Sequence, residues 1–244
     1  MPTYSMIYAA AGASSRFGGK VKKPYALMDE RPVFMRSVEA FINREECIQH
    51  ILLVSPEDEA MVKEKFAANI MLLGLRVVCG GSARHESVAN ALAVVDEKAD
   101  FVAIHDAVRP CVTDEWIDAV FAEAVKSGAA ILAAPINGTI KRVSEAKVVD
   151  ATVSREGLYE AQTPQVFGRR LILDAYARIG DVAGPITDDS QLVEAMGHPV
   201  SVVATDSSNL KITRPEDLRL AGAILKSRPA KKLMARGPFE EAPW

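Results

Sequence analysis

Strand-like runs of apolar side chains recur at residues 5–11, 49–55, 75–79, 101–105, 129–134 and 200–204, separated by stretches of helical length and spacing. This alternation predicts an α/β fold, a Rossmann-like, mostly parallel sheet flanked by helices. Residues 113–128 show how polar positions complete one such unit. Thr113 is placed as an N-cap, and Asp114 and Glu115 suit the positive start of a helix. Trp116, Ile117, Val120, Phe121 and Ala124 make one apolar face, and Gly128 supplies the stop.

The pattern changes between residues 136 and 163. Thr139 to Val143 and Lys147 to Thr152 read as short strands around Ser144, Glu145 and Ala146, which predicts a projecting β-hairpin arm rather than another strand-helix unit. A hairpin with no second layer of its own is marginal in water, so the arm is expected to pack on a second copy of the chain and to make a homodimer. Residues 228–244 hold three prolines and a glycine without periodicity and are predicted to form a flexible tail. Residues 1–227 then read as a single domain, with the 136–163 dimerisation arm inside it.

Composition narrows the class. With 244 residues, 49% of them hydrophobic and 25% charged, the chain is long enough for a full core. Its net charge of −3 gives no field that would collect nucleic acid, so any anion site must be local. Cys47, Cys79 and Cys111 are widely spaced and odd in number, which suits neither a disulfide framework nor a thiolate zinc site and fits a cytoplasmic protein. His50, His85, His105 and His198 show no metal-ligand spacing. No apolar run approaches the roughly 18 residues of a membrane span, and the N-terminus has no signal-peptide pattern.

The first strand runs into a loop of small residues, Ala9 to Ser15, followed by Arg16, Lys20, Lys22 and Lys23, with no carboxylate before Asp29. Small side chains let backbone N–H groups approach phosphate oxygens closely, so the segment reads either as a triphosphate grip or as a turn followed by a solvated basic loop. Gly12, Gly18, Gly19 and Lys20 match neither the G-x-G-x-x-G fingerprint nor the Walker A spacing. Ligands of open α/β sheets bind beyond the carboxyl ends of the strands, which directs attention to the residues that follow each one. After residues 75–79 come Gly80 and Gly81, suited to close approach of a flat base or a ribose or simply to a tight turn, with a helix beginning near Arg84. After residues 101–105 comes Asp106, either a ligand for Mg²⁺ shared with phosphates or a turn-capping carboxylate, with Arg109 as its partner. Arg155, residues 162–165, 187–189 and 209–213 are further polar clusters.

In order, the chain carries Ala-Ala-Gly-x-x-x-Arg, Lys-x-Tyr, Gly-Gly-x-x-Arg-x-x-Ser-Val and His-Asp-Ala-x-Arg-Pro. Then follow Thr-Ile-Lys, Arg-x-x-Leu-Tyr-x-x-Gln-Thr-Pro-Gln, Thr-Asp-Asp and Asn-Leu-Lys-Ile-Thr-x-Pro-Glu-Asp-Leu. This set resembles the 2-C-methyl-D-erythritol 4-phosphate cytidylyltransferase family over residues 5 to about 226. The resemblance implies transfer of CMP from CTP to a sugar-alcohol phosphate, with release of pyrophosphate, in the non-mevalonate route to isoprenoid precursors. It implies that Ala10, Ala11, Gly12 and Ser82 line the nucleotide and that Gly81 and Ser87 read the cytosine. Arg16 and Lys23 would be catalytic, holding the triphosphate and the charge that builds at the α-phosphorus. Asp106 would lie by Mg²⁺, with Arg109 and Thr163 supporting the site. Thr139 and Arg155 would bind the acceptor phosphate from the other chain, with Lys211 near it.

Some positions depart from the common pattern: Lys22-Lys23-Pro24-Tyr25 stands where many members have Pro-Lys-Gln-Tyr. Ser14 replaces a usual glycine, Ser82 an acidic residue, and Gly138 and Ser208 replace aspartates. A ribitol 5-phosphate cytidylyltransferase would share the same motifs. In a different class, a non-catalytic nucleotide-binding module would keep the fold, but retention of Arg16, Lys23 and Asp106 together speaks against it, because a sensor needs affinity for the ground state only.

Overall fold

A computed structural model of the chain describes residues 1–12, 17–18, 21–182 and 184–228. Arg16 and most of the predicted tail, residues 229–244, lie outside the described residues, as do Ser14 and Lys20. In chain order the strands are β1 Tyr4–Ala9, β2 Leu27–Met28, β3 Arg31–Pro32, β4 Cys47–Val54, β5 Leu75–Cys79, β6 Phe101–Asp106, β7 Ala129–Pro135, β8 Ile140–Val143, β9 Val149–Val153, β10 Tyr159–Gly168 and β11 Ser201–Ala204. Seven of them form one sheet in the order β11-β7-β10-β6-β1-β4-β5.

Side chains alternate between the two sheet faces, and both faces are covered. Met6 and Tyr8 of β1 pack with Phe34, Phe41, Leu52, Ile117, Phe121 and Leu132 on one side. Ile7 between them points to the other side, among Ile51, Leu53, Val88, Ile104, Phe167 and Ile172. Burial on both faces explains why these strands read as near-continuous apolar runs. The helix Asp114–Ser127 has the predicted ends: Thr113 Oγ accepts from Trp116 N, and Gly128 takes φ 84° at the C-cap, a left-handed conformation that costs a glycine little.

The hairpin is present as the two-stranded β8–β9 sheet, with Ile140 opposite Val153 and Lys141 opposite Thr152. Its outer positions Val143, Val148 and Val149 are exposed apolar residues. The strand of the main sheet that the sequence pattern does not predict is β10, which starts at Tyr159. It lies antiparallel between β6 and β7, whereas the other central pairs are parallel. Gln162, Thr163 and Gln165 make it a buried strand with polar side chains, and Pro164 sits where its register against β7 shifts. Neither an alternating nor a continuous apolar pattern can arise from such residues.

The chain goes from β1 to β4 and β5 on one side and then to β6 on the other, so the strand order reverses at β1. That reversal opens a crevice at the carboxyl ends of β1, β4, β5 and β6. Removal of the Thr113 hydroxyl by Thr113→Ala is expected to cost about 1 kcal/mol of stability. Leu132→Ala, at a fully buried site, should cost about 2–5 kcal/mol. Urea unfolding of both variants checks this, and equal losses would contradict the assignment of Thr113 to a cap and Leu132 to the core.

Candidate active site

A cavity of about 610 Å³ occupies that crevice. Its walls bring together Ala10, Ala11 and Gly12 after β1, Lys23, then Gly81, Ser82 and Ser87 after β5, Asp106 at the end of β6, and Lys211. Each arrives by a local rule. Ala10 N donates to Leu53 O and Gly80 N to Val54 O, which hold the two loops against the end of β4. Glu86 gathers the next loop: its Oε2 accepts from Ser82 N at 2.8 Å and Ala83 N at 3.2 Å. Ser87 Oγ accepts from Gly81 N at 3.0 Å. A Cβ on Gly81 would come within 2.6 Å of Glu86 Cβ, so the fold of this loop admits no larger residue there without a shift.

Asp106 is the buried charge of the cavity. Its Oδ2 is 2.7 Å from Lys211 Nζ and 3.5 Å from Arg109 Nε. Burial alone would raise the carboxyl, but Lys211, Arg84 and Arg109 outweigh it and hold it well below the ordinary carboxylate range. Arg109 does not line the cavity. It is buried behind Asp106, donating to Asn209 O at 2.7 Å and Ala161 O at 3.4 Å. Asn209 donates in turn to Gln162 Oε1 and Thr163 O, and Ile212 N donates to Val108 O, so the segment bearing Lys211 is fastened on both sides.

Thr163 sits below the cavity floor, its Oγ1 accepting from Asp106 N at 2.9 Å. That oxygen also lies 3.1 Å from His105 Nδ1, and His105 Nε2 is 3.1 Å from Arg109 O. A carbonyl can only accept, so Nε2 carries the proton and the Thr163 hydroxyl donates to Nδ1. The imidazole is therefore a neutral strut. Burial pushes its pKa down to about 4.

Thr139 and Arg155 are exposed residues beside the arm strands and line no part of this cavity; Arg155 donates to Asn137 O. Arg16 lies outside the described residues. Conversely, Lys22, Ser55, Glu57 and Arg84 line the cavity without having been assigned a role from the sequence. Lys22 Nζ lies 2.9 Å from both Glu57 and Asp58 and 3.1 Å from Ser55 Oγ, joining the loop after β1 to the loop after β4. The signal for Arg84 is its place two residues after the Gly81-Ser82 pair at the first position of the helix Arg84–Leu92. Lys22 has no comparable signal within a run of neighbouring cations.

Among the described residues no group of three or more His, Cys, Asp or Glu side chains could hold a metal ion. No described helix is long and apolar enough to cross a membrane.

Comparison with known proteins bears on this cavity. The sequence model of the 2-C-methyl-D-erythritol 4-phosphate cytidylyltransferase family matches residues 4–227. The chain is 44% identical to a protein of that name from Rhodopirellula baltica, over 91% of this chain and 94% of that one. It is 39% identical to one from Desulforamulus reducens, over 91% and 95%. The crystal structure of 2-C-methyl-D-erythritol 4-phosphate cytidylyltransferase from Thermus thermophilus superposes with a TM-score of 0.77 at 29% identity, covering 93% of this chain and all of that one. The 4-diphosphocytidyl-2C-methyl-D-erythritol synthase of Anaerococcus prevotii gives 0.76 at 30% identity, over 92% and 96%.

The buried histidines set a pH dependence. His50 is pushed down to about 4 by burial, as His105 is. Both are neutral in the folded protein, whereas an unfolded imidazole takes up a proton near 6.5. Between those values the unfolded chain binds more protons, so stability is full above about 6.5 and falls as the pH drops toward 4. Urea midpoints measured at pH 7.5, 5.5 and 4.5, as roughly spaced points across that window, should fall in that order, and His105→Gln should flatten the fall. A flat profile in the parent protein would show that these rings do not stay neutral.

Proposed function

The chain belongs to the 2-C-methyl-D-erythritol 4-phosphate cytidylyltransferase family, and from that premise we propose how its own residues carry out the reaction. The enzyme transfers CMP from CTP to 2-C-methyl-D-erythritol 4-phosphate and releases pyrophosphate. An oxygen of the acceptor phosphate forms a bond to the α-phosphorus of CTP as the bond from that phosphorus to the β-bridging oxygen breaks. The acceptor phosphate is already anionic at neutral pH, so no general base and no covalent intermediate is needed. Catalysis reduces to alignment and charge stabilisation.

Ala10, Ala11 and Gly12 receive the triphosphate end, and Gly81, Ser82 and Ser87 receive the cytosine. Lys23 and Arg16 stabilise the charge that builds on the α-phosphate oxygens during transfer. Lys211 guides the acceptor phosphate toward the same point while keeping Asp106 ionised. Arg109 and Thr163 hold Asp106 in place. The observation that carries this reading is the convergence of the small-residue loop, Lys23, the Gly81 loop, Asp106 and Lys211 on one cavity.

One buried carboxylate among cations does not make a metal cage of protein ligands. It does fit Mg²⁺, which takes one or two carboxylates and completes its shell with substrate phosphates. Asp106 would hold it, and the ion would supply charge neutralisation for the triphosphate. Thr139 and Arg155 are proposed to serve the cavity of a second copy, with the arm's exposed valines as part of the contact between copies. Membership of a family of metabolic enzymes supports a cytoplasmic setting.

Lys23→Ala is expected to lower kcat by about 10²- to 10³-fold, well beyond its effect on KM for CTP, because it removes a donor matched to the transition state. Pyrophosphate release measured at saturating CTP checks this, and near-normal turnover would take Lys23 out of the mechanism. The arm is tested by mixing two inactive variants, Lys23→Ala and Arg155→Ala, under conditions of subunit exchange. In a mixed dimer one site carries both changes and the other neither, so at full exchange about a quarter of the parent activity should return. No recovery after demonstrated exchange would assign Arg155 to its own chain's site.

A further inference from the structure

The loop at residues 80–83 has to be held rigidly if it is to select a base, yet most of its bonds go to the helix that follows it, through Glu86 and Ser87. Loop and helix start therefore form one unit. The later half of that helix is anchored in the core by Val88, Ala91 and Leu92. Its first turn is fastened differently. Arg84 makes two parallel bonds to Asp189, Nη1 to Oδ1 at 2.8 Å and Nη2 to Oδ2 at 2.6 Å.

Asp189 is itself held from several sides. It is fully buried, and Tyr176 Oη donates to its Oδ1 at 2.6 Å from the helix Arg169–Ala177. Asp189 N and Ser190 N both donate to Gln165 Oε1 at 3.1 Å, and Gln165 Nε2 donates to Asp188 Oδ2 at 2.8 Å. Gln165 stands on β10 between Ile104 of β6 and Ile131 of β7, in the middle of the sheet. Two residues before it on the same strand, Thr163 holds Asp106. The nucleotide loop and the floor of the cavity are thus referenced to one strand.

We infer that Arg84 is a positioning residue for the nucleotide, which through its paired bonds to Asp189 fixes residues 80–83 against β10 and so sets affinity for the base end of CTP. The inference rests on the reading that this loop receives the cytosine. Asp189 offsets the charge of the guanidinium, and the field that remains falls on Asp106, so the pair adds little to the reacting phosphates themselves. Its effect is geometric, and contacts to a base remote from the α-phosphorus act equally on ground and transition states. A guanidinium is required because a lysine supplies a point charge and cannot make two parallel bonds to one carboxylate.

Steady-state kinetics with CTP, the methylerythritol phosphate acceptor and Mg²⁺ test this. Arg84→Lys and Asp189→Asn should each raise KM for CTP by about ten- to a hundredfold, since displacement of a positioning element by an ångström has effects of that size. kcat at saturating CTP should stay within about threefold and KM for the acceptor should not move. The double variant should be no worse than the more damaged single one, as befits two residues acting as a unit. Tyr176→Phe, which removes only the hydroxyl, should raise KM for CTP by a few-fold and covers the case in which the charge variants do not fold. Gly81→Ala, which alters the loop directly, is the reference. If it raises KM for CTP while folded Arg84→Lys and Tyr176→Phe leave it unchanged, Arg84 is structural only and the inference fails while the loop keeps its role. If Gly81→Ala also leaves it unchanged, the loop does not receive the nucleotide and both readings fall.

Discussion

The buried carboxylate of Asp106 is the constraint around which the site is organised. A single charge at the end of a central strand, removed from water, would be protonated or would destabilise the fold unless paired. Lys211 at 2.7 Å, Arg109 behind it and Arg84 nearby supply that pairing. Arg109 lies in the turn that follows β6, whereas Lys211 and Arg84 come from distant parts of the chain, so satisfying one charge draws two further segments onto the end of β6. Arg109 recruits the carbonyls of Ala161 and Asn209 in the same act. The polar residues of β10 then have a reason to be buried: they carry the hydrogen bonds that hold these segments in register.

A cavity built this way suits a transfer between two polyanions. The protein as a whole is acidic, with a net charge of −3, so attraction of CTP and the acceptor phosphate must come from cations concentrated at one place. Lys23 and Lys211 reach the same cavity from loops that are far apart in sequence. Neutral His105 beneath them adds no charge and no proton shuttle. It spaces Thr163 from Arg109. The chemistry asks for orientation and field rather than a base, and fixed donors around a low-dielectric crevice provide both.

The two loops that face each other across the cavity are stabilised by different means. The loop after β5 is bound tightly to its own helix and, through Arg84 and Asp189, to the sheet. The loop after β1 is fastened at its far end by the ion pairs of Lys22 to Glu57 and Asp58. Glu57 is largely exposed, so water and salt weaken its part of that link, whereas Asp58 and Asp189 are buried and their pairs with the partly exposed Lys22 and Arg84 are screened less.

Much of this was legible in the sequence. The apolar runs identified β1, β4, β5, β6, β7 and β11, and the central strands β1, β6 and β7, buried on both faces, need apolar side chains almost throughout. Thr113 and Gly128 marked the ends of their helix, because caps are local chemistry. The change of pattern after residue 136 marked the arm, and the small residues and cations after β1 and the glycines after β5 pointed to the loops that line the cavity. What local pattern could not contain was β10, whose polar residues are buried for the sake of distant partners. Nor could it contain the meeting of Lys211 with Asp106, or of Arg84 with Asp189 across 105 positions. Spacing in the sequence determined the elements, since periodicity and capping act over a few residues. Only the tertiary structure decided which charges share a cavity, since that follows from strand order and register and from the need of each buried charge for a partner.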